Sequence, residues 1–293
     1  MVVAEKEIVV SGKFPRIARL KAEYYEYVEE PKSFAGKLTS DGCGADVLSF
    51  LDYTVERTPR FNLYHEWESI SVVRISTYEH WWKQQIKDKT RNMVRKGPKV
   101  GVELRPVLYN DAFVEGIVKM YNESPLRQGK PFWHYGKSFD QIKSDHSSYL
   151  DRSEFVGAYF KEELIGFVKI VHGRGVSNLM NIISMIAHRD KAPTNALIAR
   201  AVEICAQRNV PVLHYGLWSK RGLGDFKKHH GFERMDVIRY FTPLNLRGKI
   251  ALGLKLHRKA ADMVPEKLAD VLVSLRTKWN ARKHAAPRAA TGQ

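Results

Sequence analysis

NIISMIAHRDKAPTNALIARAVEICAQRNVPVLHYG, Asn181 to Gly216, reads as a strand, a polar turn, a helix and a second strand. The apolar run Ile182, Ile183, Met185 and Ile186 is short and β-rich. The segment HRDKAP interrupts it, and Ala196, Leu197, Ala199, Ala201, Val202, Ile204 and Cys205 then recur at helical spacing. Pro193 suits the first turn of that helix, where a missing N–H costs no intrahelical bond. Arg189 and Lys191 stand just ahead of the exposed N–H groups, and a helix start flanked by cations is an anion site.

The surrounding chain is that of a globular protein. Its 293 residues, 44% hydrophobic and 11% aromatic, suffice to bury a core, which excludes a disordered chain. Cys43 and Cys205 show neither metal spacing nor a paired framework, so a reduced, cytoplasmic setting without metal is expected. The N-terminal MVVAEKEIVVSGKFPR has charges on both sides of its apolar run, and no run approaches the roughly 18 residues of a membrane span. Neither a signal peptide nor a transmembrane helix is expected. The net charge is +16, and Asn245 to Gln293 supplies +8 of it, with eleven Lys or Arg against three Asp or Glu. A basic tail of this kind attracts phosphate, in nucleic acid or at an anionic membrane surface.

Residues 1–75 read as a mixed α/β lead-in. Ile70, Val72, Val73 and Ile75 mark a strand, and Thr77 fits the N-cap of a helix from about Tyr78 to Arg95, basic on most faces and ending at Gly97-Pro98. VGVELRPVL is then a strand, and DAFVEGIVKMYNESP and KSFDQIKSDHSSYLD are helices joined by RQGKPFWHYG. EFVGAYF, ELIGFVKIV and LMNIISMIA form an antiparallel meander. After the opening stretch come a short helix at about Leu223–His230 and two strands around Phe232–Arg234 and Val237–Thr242. In the tail, a helix starting at Pro265 carries Leu268, Val271, Leu272, Leu275 and Trp279 as one stripe among basic residues, which suits docking or an anionic membrane surface.

The order β-α-α-β-β-β-α-β-α-β-β over Val100 to Pro243 resembles the GNAT acyltransferases. In that family the central turn carries Arg or Gln, two residues, Gly, one residue, and Gly or Ala, followed by two apolar residues. Here Arg189 takes the first position, Ala192 and Thr194 the small ones, and Leu197 and Ile198 the apolar pair. The resemblance implies that backbone amides of the turn cradle a coenzyme A pyrophosphate. Thr194 departs from the pattern by its bulk. The segment GDFKKHHGFE has Lys227 where simple acetyltransferases place a general-acid tyrosine, and its Phe-Lys ahead of Gly-Phe is closer to the Fem-type transferases. These also place a basic helix like KDKTRNMVRKGPKVGVELR before the first strand and relax the glycine-rich loop. The implied fold is an α/β (α+β) mixed, mostly antiparallel sheet flanked by helices. Residues 1–99 are expected as its lead-in, a degenerate or different N-terminal half, 100–243 as the acyltransferase domain and 244–293 as the basic tail.

On that frame the loop NESPLRQGKPFWHYGKS closes over the acceptor, making Arg127, Trp133, Tyr135 and Lys137 substrate-binding candidates. His134 is the candidate general base, since an unperturbed imidazole titrates near neutrality. Tyr215 is the candidate proton donor. Strands 181–187 and 211–217 are expected to part at their C-terminal ends, so that backbone groups at Ile186 and Ala187 hold the acyl arm, while Arg189, Lys191, Ala192, Pro193, Thr194 and Asn195 hold phosphate. The reading is an acyltransferase using acyl-CoA as co-substrate, acting on an amine or hydroxyl of a small-molecule or cell-envelope acceptor. The alternatives are Fem-type aminoacyl transfer from charged tRNA and a catalytically inactive binding module for RNA or membrane. A peripheral membrane contact through the C-terminal tail fits either.

Overall fold

The computed structural model describes residues 1–53, 58–173, 175–219 and 221–258. From the N-terminus come strands β1 (Val2–Val3), β2 (Lys6–Ser11) and β3 (Ile17–Leu20), helix α1 (Pro31–Ser40), and strands β4 (Val47–Asp52) and β5 (Tyr64–Arg74). A short helix α2 (Tyr78–His80) runs into a wide π-type turn at Trp81–Gln85, and helix α3 (Asp88–Lys99) follows. Then come β6 (Val102–Val107), α4 (Asp111–Tyr121), a small hairpin of β7 (Leu126–Arg127) and β8 (Lys130–Pro131), α5 (Phe139–His146), β9 (Ser153–Phe160), β10 (Glu163–His172) and β11 (Val176–Ser184). The chain continues through α6 (Pro193–Gln207), β12 (Val212–Leu217), α7 (Arg221–His229), β13 (Glu233–Pro243) and α8 (Leu246–Gly253).

Among the described residues eleven strands form one sheet in the order β1-β2-β3-β4-β13-β5-β12-β11-β10-β9-β6. Strands β3 and β4 pair parallel, as do β11 and β12, and the other neighbours are antiparallel. The mixed, mostly antiparallel sheet flanked by helices is the expected one. The lead-in belongs to the same sheet, because β5 lies between β12 and β13.

Strand β10 shows why helices cover both faces. Leu164 to Val171 are buried without interruption, where a half-solvated strand would alternate. Phe167 meets Phe113 of α4 and His146 of α5, whereas a Cβ on the adjacent Gly166 would lie 3.3 Å from Leu197 of α6. Since successive residues point to opposite faces, α4 and α5 cover one face and α6 the other, with α3 packed against α6. A second core under α1 joins Phe34, Leu38, Leu48 and Phe50 to Tyr240 of β13. Among the described residues no helix is long and apolar enough to cross a membrane.

Two expected elements differ. Thr77 does cap a helix, accepting from the His80 N–H at 3.0 Å, but the continuous helix to Arg95 is broken at Ile86, whose backbone is extended. Arg91 explains the break: its guanidinium donates to the carbonyls of Trp82, Lys83 and Ile86 at 2.8, 3.3 and 2.8 Å, satisfying the end of the first piece. Helix α3 then continues past Gly97-Pro98 to Lys99, since a proline in the last turn removes only one ladder bond. The two last strands are one, β13, which passes unbroken through Met235-Asp236 because it pairs with β5 in one register from Glu233 to Phe241, with Ser69 donating to the Asp236 carboxylate at 2.7 Å. The tail helix from Pro265 lies outside the described residues. Of the tail they include α8, capped by Asn245, whose side chain accepts from the Gly248 N–H.

Candidate active site

Strands β11 and β12 pair at Val176 with Val212, Ser177 with Leu213 and Asn178 with His214, and beyond that rung they part. The parting has a local cause in β12. Gly216 sits at φ +62°, the left-handed region that favours glycine, and the register against β5 slips between His214 and Leu217. Lys227 of α7, 3% exposed, fastens the kink. Its ammonium donates to the carbonyls of Tyr215 and Leu217, on either side of Gly216, at 2.6 and 2.8 Å, and to Ser71 Oγ at 3.3 Å. Burial draws this ammonium down to about 8.

A cavity of about 710 Å³ lies beside the gap, walled by Ile182 and Ser184 of β11, Tyr215 of β12, Leu223 and Phe226 of α7, and Phe132 of the loop after α4. The Lys227 ammonium is 4.6 Å from the centre of the Tyr215 ring. Burial pushes the Tyr215 hydroxyl up to about 12, so it stays protonated at neutral pH.

The start of α6, where a phosphate site is expected, also borders the cavity, through Arg189, Ala192, Pro193, Thr194 and Asn195. Ala192 adopts φ +54°, the conformation glycine takes without strain, so the backbone turn persists despite the substitution at a cost of about 1–2 kcal/mol. Helix α6 begins without a side-chain cap, and the Ala192 N–H is spent on Arg189 O at 3.1 Å. Pro193 has no N–H to offer. Three consecutive free amides, the geometry that cradles a diphosphate, are therefore not assembled here. Thr194 turns its extra bulk to use in a hydroxyl pair with Ser184 at 2.8 Å.

The remaining candidates are distributed as follows. Lys191 is turned away, its ammonium at 3.3 Å from Asp190 and 4.8 Å from the Phe160 ring centre. The Ile186 and Ala187 amides, expected to hold an acyl arm, donate instead to the Glu123 carboxylate at 2.6 and 2.8 Å. Strand β11 ends at Ser184, and these two residues open a 3₁₀ turn whose first donors need an acceptor. Arg127 lines the cavity, but its guanidinium is engaged with Ser184 O at 2.7 Å, Met120 O at 3.0 Å and Glu123 at 3.2 Å. Of the acceptor loop, Gln128 and Phe132 reach the cavity. Trp133 is 75% exposed, Tyr135 is exposed, and Lys137 bridges the Trp133 ring and Asp145. His134 packs on Tyr121 and Trp133, with ring centres 4.4 and 3.7 Å away, and is not among the cavity-lining residues. Burial, with Lys137 nearby, lowers its pKa to about 4.

Glu123 and the hold of Lys227 on β12 escape a reading of the sequence. Glu123 acts 63 residues away on Ile186, and no local pattern marks it. Lys227 sits in the motif that resembles the Fem type, but only the folded β12 reveals its partners.

No family model matches the sequence, and no curated protein does. Solved structures do. The chain is similar to the C-terminal domain of a protein described as a lysylphosphatidylglycerol synthetase from Agrobacterium fabrum, at 10% identity and TM-score 0.57, with 86% of each chain covered. It is similar to FemX at 8% identity and TM-score 0.56, covering 84% of this chain and 86% of that one. L-PGS from Bacillus licheniformis follows at 13% identity and TM-score 0.54, with 82% of each chain covered. At these identities the likeness defines the fold, which is a Fem-like GNAT fold, as the motifs imply.

Proposed function

We propose that this protein transfers an aminoacyl group from the 3′ end of a charged RNA to an amine or hydroxyl acceptor, with the donor ester lying in the gap between β11 and β12. The observation that carries the reading is that gap: a parallel pair that parts after three rungs, opening on a cavity with an uncapped helix start at its rim. An RNA 3′ end is favoured over acyl-CoA because the corner lacks the consecutive amides a diphosphate uses, whereas Arg189 suits a single phosphodiester. The similar folds include one named for lysylphosphatidylglycerol, and an acceptor in the cell envelope fits that name.

In the proposed step the acceptor nitrogen attacks the ester carbonyl and the bond to the ribose 3′ oxygen breaks. Tyr215 gives its proton to that oxygen and is reprotonated by the ammonium formed on attack. Lys227 is not among the cavity-lining residues and its ammonium is spent on Ser71 and the Tyr215 and Leu217 carbonyls, so it acts by holding the Gly216 kink that presents Tyr215 and through its positive charge 4.6 Å from that ring. No role as base is assigned to His134, whose ring is packed in the loop. The second reading, acyl-CoA as donor, rests on the family register of Arg189.

Titration of a 3′-aminoacylated RNA minihelix separates the two. Arg189→Ala is expected to weaken minihelix binding by at least tenfold, as loss of a charge-assisted bond to phosphate implies. Coenzyme A at the same concentrations is expected not to compete. Competition by coenzyme A, with loss of its binding in the variant, would instead establish the second reading.

A further inference from the structure

We propose that the exposed face of α3 carries the double-stranded stem of the donor RNA whose 3′ end enters the cleft, an inference that rests on the donor reading above. Helix α3, DKTRNMVRKGPK, has five Lys or Arg against one Asp. Asp88 is tied to Arg91 at 2.6 Å, and Arg91 also reaches the carbonyls of the preceding turn, so neither adds to the outer face. Lys89, Arg95, Lys96 and Lys99 are exposed, and the other exposed positions of the helix are Asp88, Asn92 and Pro98.

The position of this face relates it to the cleft. A Cβ on Gly97 would lie 3.5 Å from both Ala196 Cβ and Lys191 O, so the last turn of α3 abuts the start of α6 and the turn before it. Arg189 of that turn lines the cavity. The Asp190 carboxyl is held below its usual range, first by Lys191 and also by Lys96, which puts the α3 cations in the field of the same corner. The α3 cations thus flank the same turn that brings Arg189 to the cavity. Lys89 and Lys96, seven residues apart, are about 10 Å apart along the axis, a span wider than one phosphate.

The chemistry of the face selects nucleic acid over lipid. A helix bound to a membrane surface inserts large apolar side chains beside its cations. Those of α3 point inward, Val94 being buried and Met93 half-buried. The exposed apolar residues at this end, Pro98 and the capping Val100, are small, and a face dominated by cations without a large aromatic or leucine anchor fits a sugar-phosphate backbone, read without base specificity.

The test compares the parent with the triple variant Lys89→Ala, Lys96→Ala, Lys99→Ala on three probes: a deacylated RNA minihelix, a 3′-aminoacyl dinucleotide too short to reach α3, and phosphatidylglycerol vesicles. These lysines are exposed, so the variant should melt with the parent. The slope of log affinity against log salt for the minihelix is expected to fall in magnitude by about 3. Minihelix affinity at physiological salt should drop at least tenfold, with dinucleotide binding unchanged. An unchanged slope and affinity for the minihelix would overturn the proposal while leaving the donor reading intact if the dinucleotide still binds. A reduced slope together with failure of the parent to bind the dinucleotide would support the α3 contact and remove the donor from the cleft. Loss of vesicle binding, with no minihelix affinity in the parent, would assign the face to lipid and overturn the proposal.

Discussion

Lys227→Met is expected to lower transfer at least a hundredfold while leaving the melting temperature within a few degrees of the parent. Two stability effects oppose each other. The substitution removes donors from Ser71 and from the carbonyls of Tyr215 and Leu217, about 1 kcal/mol each. It also removes the cost of burying an ammonium whose pKa has fallen from 10.5 to about 8, roughly 3 kcal/mol. The two nearly offset. Activity has no such compensation, because the variant loses both the brace on the Gly216 kink and the positive charge beside Tyr215; removal of one such electrostatic group costs about 10²–10³ in rate. A pH signature identifies the group. The folded pKa lies below the unfolded one, so between about 8 and 10.5 the unfolded chain binds more protons. Stability from this residue therefore rises with pH through that window and levels off above it. The parent should show this rise in urea-unfolding experiments and the variant should not. Full activity in Lys227→Met would remove the residue from the mechanism.

Glu123→Ala is expected to have the largest effect on stability, about 3–5 kcal/mol, measured as a shift of the denaturation midpoint at constant m-value. Its carboxylate satisfies two backbone N–H groups and pairs with Arg127, and both side chains are largely buried, at 19% and 13% exposure. Alanine leaves Ile186 N–H, Ala187 N–H and part of the Arg127 charge without this partner. Glu123→Gln, which keeps one acceptor but turns an amide donor toward the others, should fall between parent and alanine. The same residue bears on function: it ties the end of α4 to the turn that leads into the anion corner, so the alanine variant should also bind donor more weakly. A change of less than 1 kcal/mol would mean that the turn is held by its own backbone.

What could be read from the sequence was whatever is local. The strand, turn and helix around Arg189 follow from the apolar spacing and from Pro193, and the splaying of β11 from β12 follows once those elements are aligned with a known pattern. Thr77 as a cap is likewise a matter of three adjacent residues. What could not be read depends on long-range partners. The break at Ile86 needs Arg91 to turn back onto three carbonyls, and the unity of β13 needs β5 beside it to bond Asp236. In the site, Arg189, Ala192, Pro193, Thr194, Asn195, Arg127 and Tyr215 come together at one cavity, but Trp133, Tyr135 and Lys137 do not, because the loop presents Phe132 inward in their place.

The central claim is that the donor lies between β11 and β12, and a crystal structure with a non-hydrolysable 3′-aminoacylamino dinucleotide tests it most directly. The aminoacyl carbonyl is expected beyond the Asn178–His214 rung, between Ser184 and Tyr215, with a phosphate at Arg189. The analogue bound elsewhere, with the gap beside Tyr215 empty at saturating concentration, would contradict the account.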